Sequence, residues 1–280
     1  MNRRKTIQDI QQKKKNGQKI IMLTAYDYPL ASLVDASGAD IILVGDSLAN
    51  VVLGLESTRE VGMAEMIHHA KAVNRAVKQA VLIGDMPFES YQAHSGEAVN
   101  NARRFVEEAG CNAVKLEWFD RCLEVTEKIV QAGIPVMGHV GLTPQTAEQL
   151  GGFKVQGKDA DSARKIIENA KALEQKGCFS IVLECIPTPI AEMITQQLSI
   201  PTIGIGAGVH CDGQVLVTHD LLGLFDRFKP KFVKQYTNLG ISILEGLNLF
   251  RKEVEEGKFP DLLHSYSIKS EELINLKAKK

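Results

Sequence analysis

The 280-residue sequence has almost no net charge, no paired-cysteine motif, no apolar run of membrane length and no repetitive stretch. Lys and Arg number 33 against 34 Asp and Glu, a balance of -1. The broad field that would draw a chain onto nucleic acid or anionic lipid is therefore missing, and neither is expected as a partner. The basic opening, NRRKTIQDIQQKKKNGQK, is a local exception that reads as a solvated helix ahead of the first strand. Cys111, Cys122, Cys178, Cys185 and Cys211 are odd in number and scattered. That pattern fits free thiols in a reducing compartment. Asp46 interrupts the longest candidate membrane segment. The N-terminus shows no signal-peptide core, and its early Asp9 and lack of serine argue against a transit peptide. The expected location is cytoplasmic.

What is present is an alternation. Short β-branched runs recur at 19–26, 40–47, 80–87, 113–118, 134–141, 180–185, 200–208 and 213–220. Most are continuously apolar, as strands of a parallel sheet covered on both faces must be. Between them lie helix-like segments such as GEAVNNARRFVEEAG (96–110) and DSARKIIENAKALEQKG (161–177), each stopped by a glycine. The expectation is an α/β fold, a single-domain (β/α)8 TIM barrel spanning 1–280. An extra N-terminal helix falls at about 5–16, the barrel at about 19–250, and a tail or subunit-reaching arm at about 251–280. Residues 208–213 are too few for a full crossover helix, which makes the eighth strand the least secure. An open doubly wound sheet would also put its ligands at the carboxyl ends of its strands.

Those ends carry the chemistry. Strand 2 finishes in Asp46-Ser47, strand 3 in Asp85, strand 4 in Lys115 and Glu117, strand 5 in His139 and strand 6 in Glu184. Neighbouring strands lie about 4.8 Å apart, so Asp46, Asp85 and Glu117 would crowd together. Such a cluster needs a proton, a cationic side chain or a metal, and all-oxygen ligands suit Mg²⁺. A metal-free ion-pair network centred on Lys115 is the alternative. Glu184, across the mouth and among the apolar residues of SIVLECIP, would face the metal with a raised pKa and act as a general base. His139 would contact either substrate or Glu184. GIGAG (204–208) serves as an anion nest or a tight turn; His68-His69 and His219-Asp220 read as structural. A metal opposite a base suits an α-keto acid, whose enolate the metal would stabilise after proton removal, with Lys115 neutralising the carboxylate.

The ordered pieces TAYDYPLA, LVGDSLANVVLG, GDMPF, VKLE, GHVGLTPQ, GGFKVQG, VLECIP, IPTIGIGAG and DGQVLVTHDLLG cover roughly residues 3 to 266. Together they resemble the ketopantoate hydroxymethyltransferase family. The resemblance implies one-carbon transfer from 5,10-methylenetetrahydrofolate to 3-methyl-2-oxobutanoate, giving 2-dehydropantoate for pantothenate and coenzyme A. It further implies that Asp46 and Asp85 hold Mg²⁺, that Glu117 belongs to the metal site, and that Asp46, Ser47, Asp85 and Lys115 bind the keto acid. Glu184 matches the proton acceptor. The family is cytoplasmic in bacteria and forms homo-oligomers, typically decamers. Ala49, Asn50, Leu55-Glu56 and Trp118 depart from the family pattern; the first four lie in a candidate lid at 48–62, and Trp118 is expected to crowd the metal side. Two other readings stand beside this one. One is a Mg²⁺-dependent C–C lyase or mutase of the phosphoenolpyruvate/pyruvate type, and the other is a non-catalytic keto-acid-binding barrel.

Overall fold

The computed structural model describes residues 3–147 and 151–278, so the expected span of 1–280 and the last two residues of the expected tail run beyond what is described. Eight parallel strands close into a barrel in sequence order. They are β1 (Ile20–Thr24), β2 (Ile41–Val44), β3 (Val81–Asp85), β4 (Ala113–Lys115), β5 (Val136–Gly141), β6 (Ser180–Glu184), β7 (Thr202–Ile205) and β8 (Gly213–Leu216). A helix α1 (Ile7–Lys15) precedes the barrel. Outer helices α2 (Tyr28–Ala36), α3 (Met63–Ala76), α4 (Ser95–Glu107), α5 (Cys122–Gln131), α6 (Ala160–Gln175) and α7 (Thr188–Gln197) follow β1 to β6 in turn. The short link from β7 to β8 contains no helix, yet β8 forms and closes the ring by pairing Ile20 with Gly213 and Met22 with Val215. Gly213 permits that closure, because a Cβ there would sit 2.6 Å from the Ile20 carbonyl oxygen.

Two apolar layers follow from strand alternation. Inward-facing Met22, Ile41, Ile83, Met137, Ile203 and Val215 fill the barrel, and Ile10 of α1 plugs its lower end. A capping box between Thr6 and Asp9 starts α1, and Lys5 and Lys13 both pair with the buried carboxylate of Asp40. Outward-facing residues such as Ile42, Leu82, Val114 and Leu183 pack against the outer helices. Burying a side chain of this size stabilises the fold by about 1.5–3 kcal/mol relative to exposure, so this double layer holds the strand ends rigid.

One seam departs from the pattern. On β1, Ile21 is 53% exposed, and its register partner on β8, Gln214, is exposed too. After β8 come only the short helix Thr218–Leu222 and then α8 (Leu239–Glu255), which runs across the expected start of the tail and buries no residue. A last helix, α9 (Ser270–Ala278), is likewise unburied. Among the described residues no helix is long and apolar enough to cross a membrane.

Candidate active site

A cavity of about 590 Å³ opens at the carboxyl ends of the strands. Every side chain singled out at those ends lines it: Asp46, Ser47, Asp85, Lys115, Glu117, His139 and Glu184. Asp46 and Ser47 sit just beyond β2, in the turn into the short helix Leu48–Val51. The Tyr26 hydroxyl lies 2.7 Å from Ser47 Oγ and so fixes that serine. β4 ends at Lys115, which leaves Glu117 past the last paired residue, but Glu117 still turns inward and is buried.

Lys115 and Asp85 form the centre. The ammonium donates to both Asp85 carboxylate oxygens, at 2.7 and 2.8 Å. The Asp46 backbone N–H also donates to Asp85 Oδ2 at 3.3 Å. Burial pushes the Asp85 carboxyl up to about 7, with Lys115 pulling it down and Asp46 and Glu117 adding to the rise. Burial alone would lower the Lys115 pKa, but Asp85, Glu117 and Asp46 outweigh it and hold the ammonium charged. The two shifts favour opposite members of one pair. The charged lysine is the firmer conclusion, since three carboxylates surround it.

A second chain of charges crosses the cavity floor. His139 Nδ1 lies 3.5 Å from Glu117 Oε1, and Nε2 lies 3.3 Å from Glu184 Oε2. Neither nitrogen makes a geometrically good hydrogen bond, so these are electrostatic contacts of an otherwise unpartnered buried ring. Burial disfavours the imidazolium, but the two glutamates outweigh it and raise His139 to about 9. Glu117 is itself raised, first by burial. Of the two contacts expected of His139, the one to Glu184 is present; it ties Glu184 to the acidic cluster, and 15% of the Glu184 side chain remains exposed to the cavity. Gly141 allows this approach: its φ is +99°, and a Cβ there would lie 2.2 Å from the Glu184 carbonyl oxygen.

Gln145, within the quoted GHVGLTPQ but not singled out, joins the two chains. Its Nε2 donates to Asp46 Oδ2 at 2.8 Å and to the Met86 carbonyl at 3.1 Å, and its backbone N–H donates to Glu117 Oε2 at 3.0 Å. The Tyr91 hydroxyl donates to its Oε1. The only sequence signal was a polar residue behind a proline at the end of β5. Trp118 corrects an expectation: it packs in the layer between barrel and helices and does not line the cavity. Beyond Glu117 the chain turns outward and carries the indole with it. Asn50, Leu55 and Glu56 do line the mouth, and Asn50 Nδ2 donates to the Leu55 carbonyl at 2.9 Å. Asp220, expected to be structural, lines it as well. In GIGAG, a Cβ at Gly208 would meet Thr188 Oγ1 at 2.3 Å, so a closely packed turn accounts for that glycine.

Among the described residues no group of three or more His, Cys, Asp or Glu is arranged to hold a metal ion. Asp46 and Asp85 nonetheless offer two carboxylates on adjacent strands, and Asp46 Oδ1 has no hydrogen-bond partner among the described residues. Asp46, Asp85, Glu117 and Glu184 share only Lys115 and His139 as nearby cationic partners in this cluster, and Asp85 and Glu117 are raised by burial, helped by their acidic neighbours. A hard cation held by two carboxylates, with water and substrate oxygens completing its shell, fits that arrangement.

A family model, ketopantoate hydroxymethyltransferase, matches residues 4–262. A 3-methyl-2-oxobutanoate hydroxymethyltransferase of Syntrophomonas wolfei is 55% identical over 98% of this chain and 99% of that protein. The enzyme of the same name from Moorella thermoacetica is 56% identical over 94% of this chain and 98% of that protein. Among solved structures, a phosphoenolpyruvate phosphomutase from Streptomyces platensis superposes with a TM-score of 0.62 at 13% identity, covering 98% of this chain and 96% of its own. A 2,3-dimethylmalate lyase gives 0.60 at 14%, covering 98% and 94%. At such identities the likeness is of the barrel fold alone. The chain belongs to the ketopantoate hydroxymethyltransferase family and is a transferase of the pantothenate pathway.

Proposed function

We propose that this member of the family moves a one-carbon unit from 5,10-methylenetetrahydrofolate onto 3-methyl-2-oxobutanoate, using Mg²⁺ at Asp46 and Asp85 with Glu117 nearby. The observation that carries the reading is the shared cavity, in which the Asp46–Asp85–Lys115 cluster meets the Glu117–His139–Glu184 chain. Bound there, Mg²⁺ would supply Lewis-acid stabilisation for negative charge developing on the keto oxygen. Lys115 and Ser47 hold the keto acid's carboxylate. Glu184 takes the C3 proton, and its Oε2 contact with His139 keeps the accepting carboxylate oriented. The electron pair of that C–H bond becomes the enolate. Water adds to the donor's methylene carbon as its two C–N bonds break and tetrahydrofolate leaves with the protons. Enolate C3 then bonds the released carbon at the formaldehyde level, and the oxygen it gained from water takes the proton back from Glu184 as the product's hydroxyl.

The working form is a homo-oligomer, a decamer by family resemblance, assembled through its C-terminal arm. α8 exposes Ile243, Leu247, Phe250 and Val254, at spacings of four, three and four, as one apolar stripe. The β8–β1 seam exposes Ile21, and α2 exposes Leu33. A stripe lacking a groove and a seam lacking a helix on the same chain are complementary between copies. The five cysteines are all free, which supports a reducing, cytoplasmic setting.

The test is NMR of 3-methyl-2-oxobutanoate in heavy water with the protein, with and without Mg²⁺, followed by addition of methylenetetrahydrofolate. Metal-dependent loss of the C3 proton signal, then 2-dehydropantoate, is expected. Absence of both exchange and product would overturn the reading and favour a keto-acid-binding barrel.

A further inference from the structure

The charged side chains assigned above come from the ends of β2 to β6, one side of the cavity. The opposite side is built by β8 and the segment after it, and has another character: Val215, Val217, Phe225, Phe228 and Phe232 are apolar or aromatic. A small keto acid held by Lys115 and Ser47 leaves that side unfilled.

Besides Arg227, which pairs with Glu56, this segment brings Asp220 and Lys231 to the cavity, and Lys154 of the β5–α6 connection lines the same cavity. Asp220 is half-buried, and its carboxylate has no ion pair or hydrogen bond among the described residues. Its pKa is pushed up to about 6 by burial, as expected of a desolvated carboxylate with no donor. Farther out, Lys154 and Lys231 are exposed, line the mouth, and likewise have no acidic partner among the described residues. Lys154 belongs to GGFKVQG, a motif no role above accounts for.

We infer that this half of the cavity is the binding site for the one-carbon donor, with Asp220 accepting hydrogen bonds from its pterin edge and Lys154 and Lys231 holding its anionic glutamyl tail. The inference rests on the function proposed above. The chemistry matches in order. A pterin presents its 2-amino group and N3–H side by side, two donors that one carboxylate accepts together. Its flat rings suit an aromatic wall. The tail carries carboxylates, and burial falls from Asp220 toward the lysines at the mouth. Pterin inward and tail outward brings the transferred carbon to the side where Glu184 works. Tails extended by further γ-linked glutamates would add charge beside the same two lysines and bind more tightly.

The experiment compares donor KM for methylenetetrahydrofolate carrying one and five glutamates, and for a tail-less methylenetetrahydropterin. The intact chain is set against Lys154→Glu/Lys231→Glu and Asp220→Asn. In the lysine variant, donor KM should rise about tenfold for the five-glutamate donor and about threefold for the one-glutamate donor, with salt dependence lost. The tail-less donor should be unaffected. Asp220→Asn should raise KM about tenfold for all three donors alike, since an amide NH₂ opposes one pterin donor. Both lysines are exposed, so folding does not confound that variant. Donor-free C3 proton exchange by the unmodified chain separates the two failures. If exchange and product formation fail there, the functional reading fails. If both occur and the lysine variant leaves donor KM unchanged at both tail lengths, the tail site is overturned. If Asp220→Asn shifts keto-acid KM and not donor KM, the pterin site is overturned.

Discussion

The barrel has two sectors that differ inside and out. From β2 to β6, each strand is sheathed by its own helix and ends in a charged or polar side chain that points into the cavity. From β8 to β1, the outer face is bare at Ile21 and Gln214, and the cavity wall carries apolar and aromatic side chains around Asp220, with Arg227 and Lys231 at the mouth. The difference teaches that rigidity and charge go together here. Burying Asp85, Lys115 and Glu117 side by side is costly unless their backbones are fixed, and the double apolar layer supplies that fixity. The other sector carries the aromatic wall and the arm, the two features that the proposed donor and the proposed assembly would cover.

The sharpest way to break the polar sector is Glu184→Gln. The amide keeps the shape beside His139 but cannot take a proton. C3 exchange should fall about a thousandfold while calorimetry shows keto-acid binding retained. Loss of binding instead would make Glu184 a structural partner of His139.

The open sector breaks differently. Leu247→Asp with Phe250→Asp puts two charges into the apolar stripe of α8, and sedimentation should show the assembly falling to monomers. The far-ultraviolet spectrum should change little, because α8 buries nothing against its own barrel. An intact assembly would mean that the arm is not the contact.

Legibility in the sequence was uneven in both sectors. Asp46, Asp85, Lys115, His139 and Glu184 were legible because a parallel barrel brings strand ends to one rim, so polar residues ending consecutive apolar runs imply a site. Gln145 was not, since a residue in the short turn Pro144–Thr146 has no periodicity to report which way it points. Trp118 misled for a related reason: strand alternation stops at Lys115, and past that point the local path of the chain decides the direction. The stripe on α8 has the same spacing whether it covers its own barrel or another copy's. Only the path of residues 223–238 decides between them, and that is a tertiary property.

A smaller effect sharpens the polar sector from behind. Gln145→Ala removes the donor to Asp46 and the acceptor of Tyr91, leaving buried polar groups unpaired. Thermal unfolding should show a loss of about 1–3 kcal/mol, with weakened Mg²⁺ binding by calorimetry as Asp46 loosens. Gln145→Glu should recover the Tyr91 contact but not the donor to Asp46, so stability should return in part while metal binding stays altered.

The smallest effect lies where the sectors meet. Arg227, after β8, donates to the Gly54 carbonyl at 3.0 Å and lies 3.7 Å from Glu56, tying the post-β8 segment to the 48–62 loop across the mouth. Both side chains are exposed, and exposed ion pairs contribute little. Arg227→Ala should therefore shift the unfolding midpoint by less than about 2 °C. The hydrogen bond to Gly54 is made with backbone and does not depend on Glu56, so Glu56→Ala should do less still. If the bridge holds the mouth closed, keto-acid KM should rise about twofold in Arg227→Ala and stay level in Glu56→Ala. Equal effects of the two substitutions would place the coupling in the ion pair, and would make Glu56 the residue that sets it.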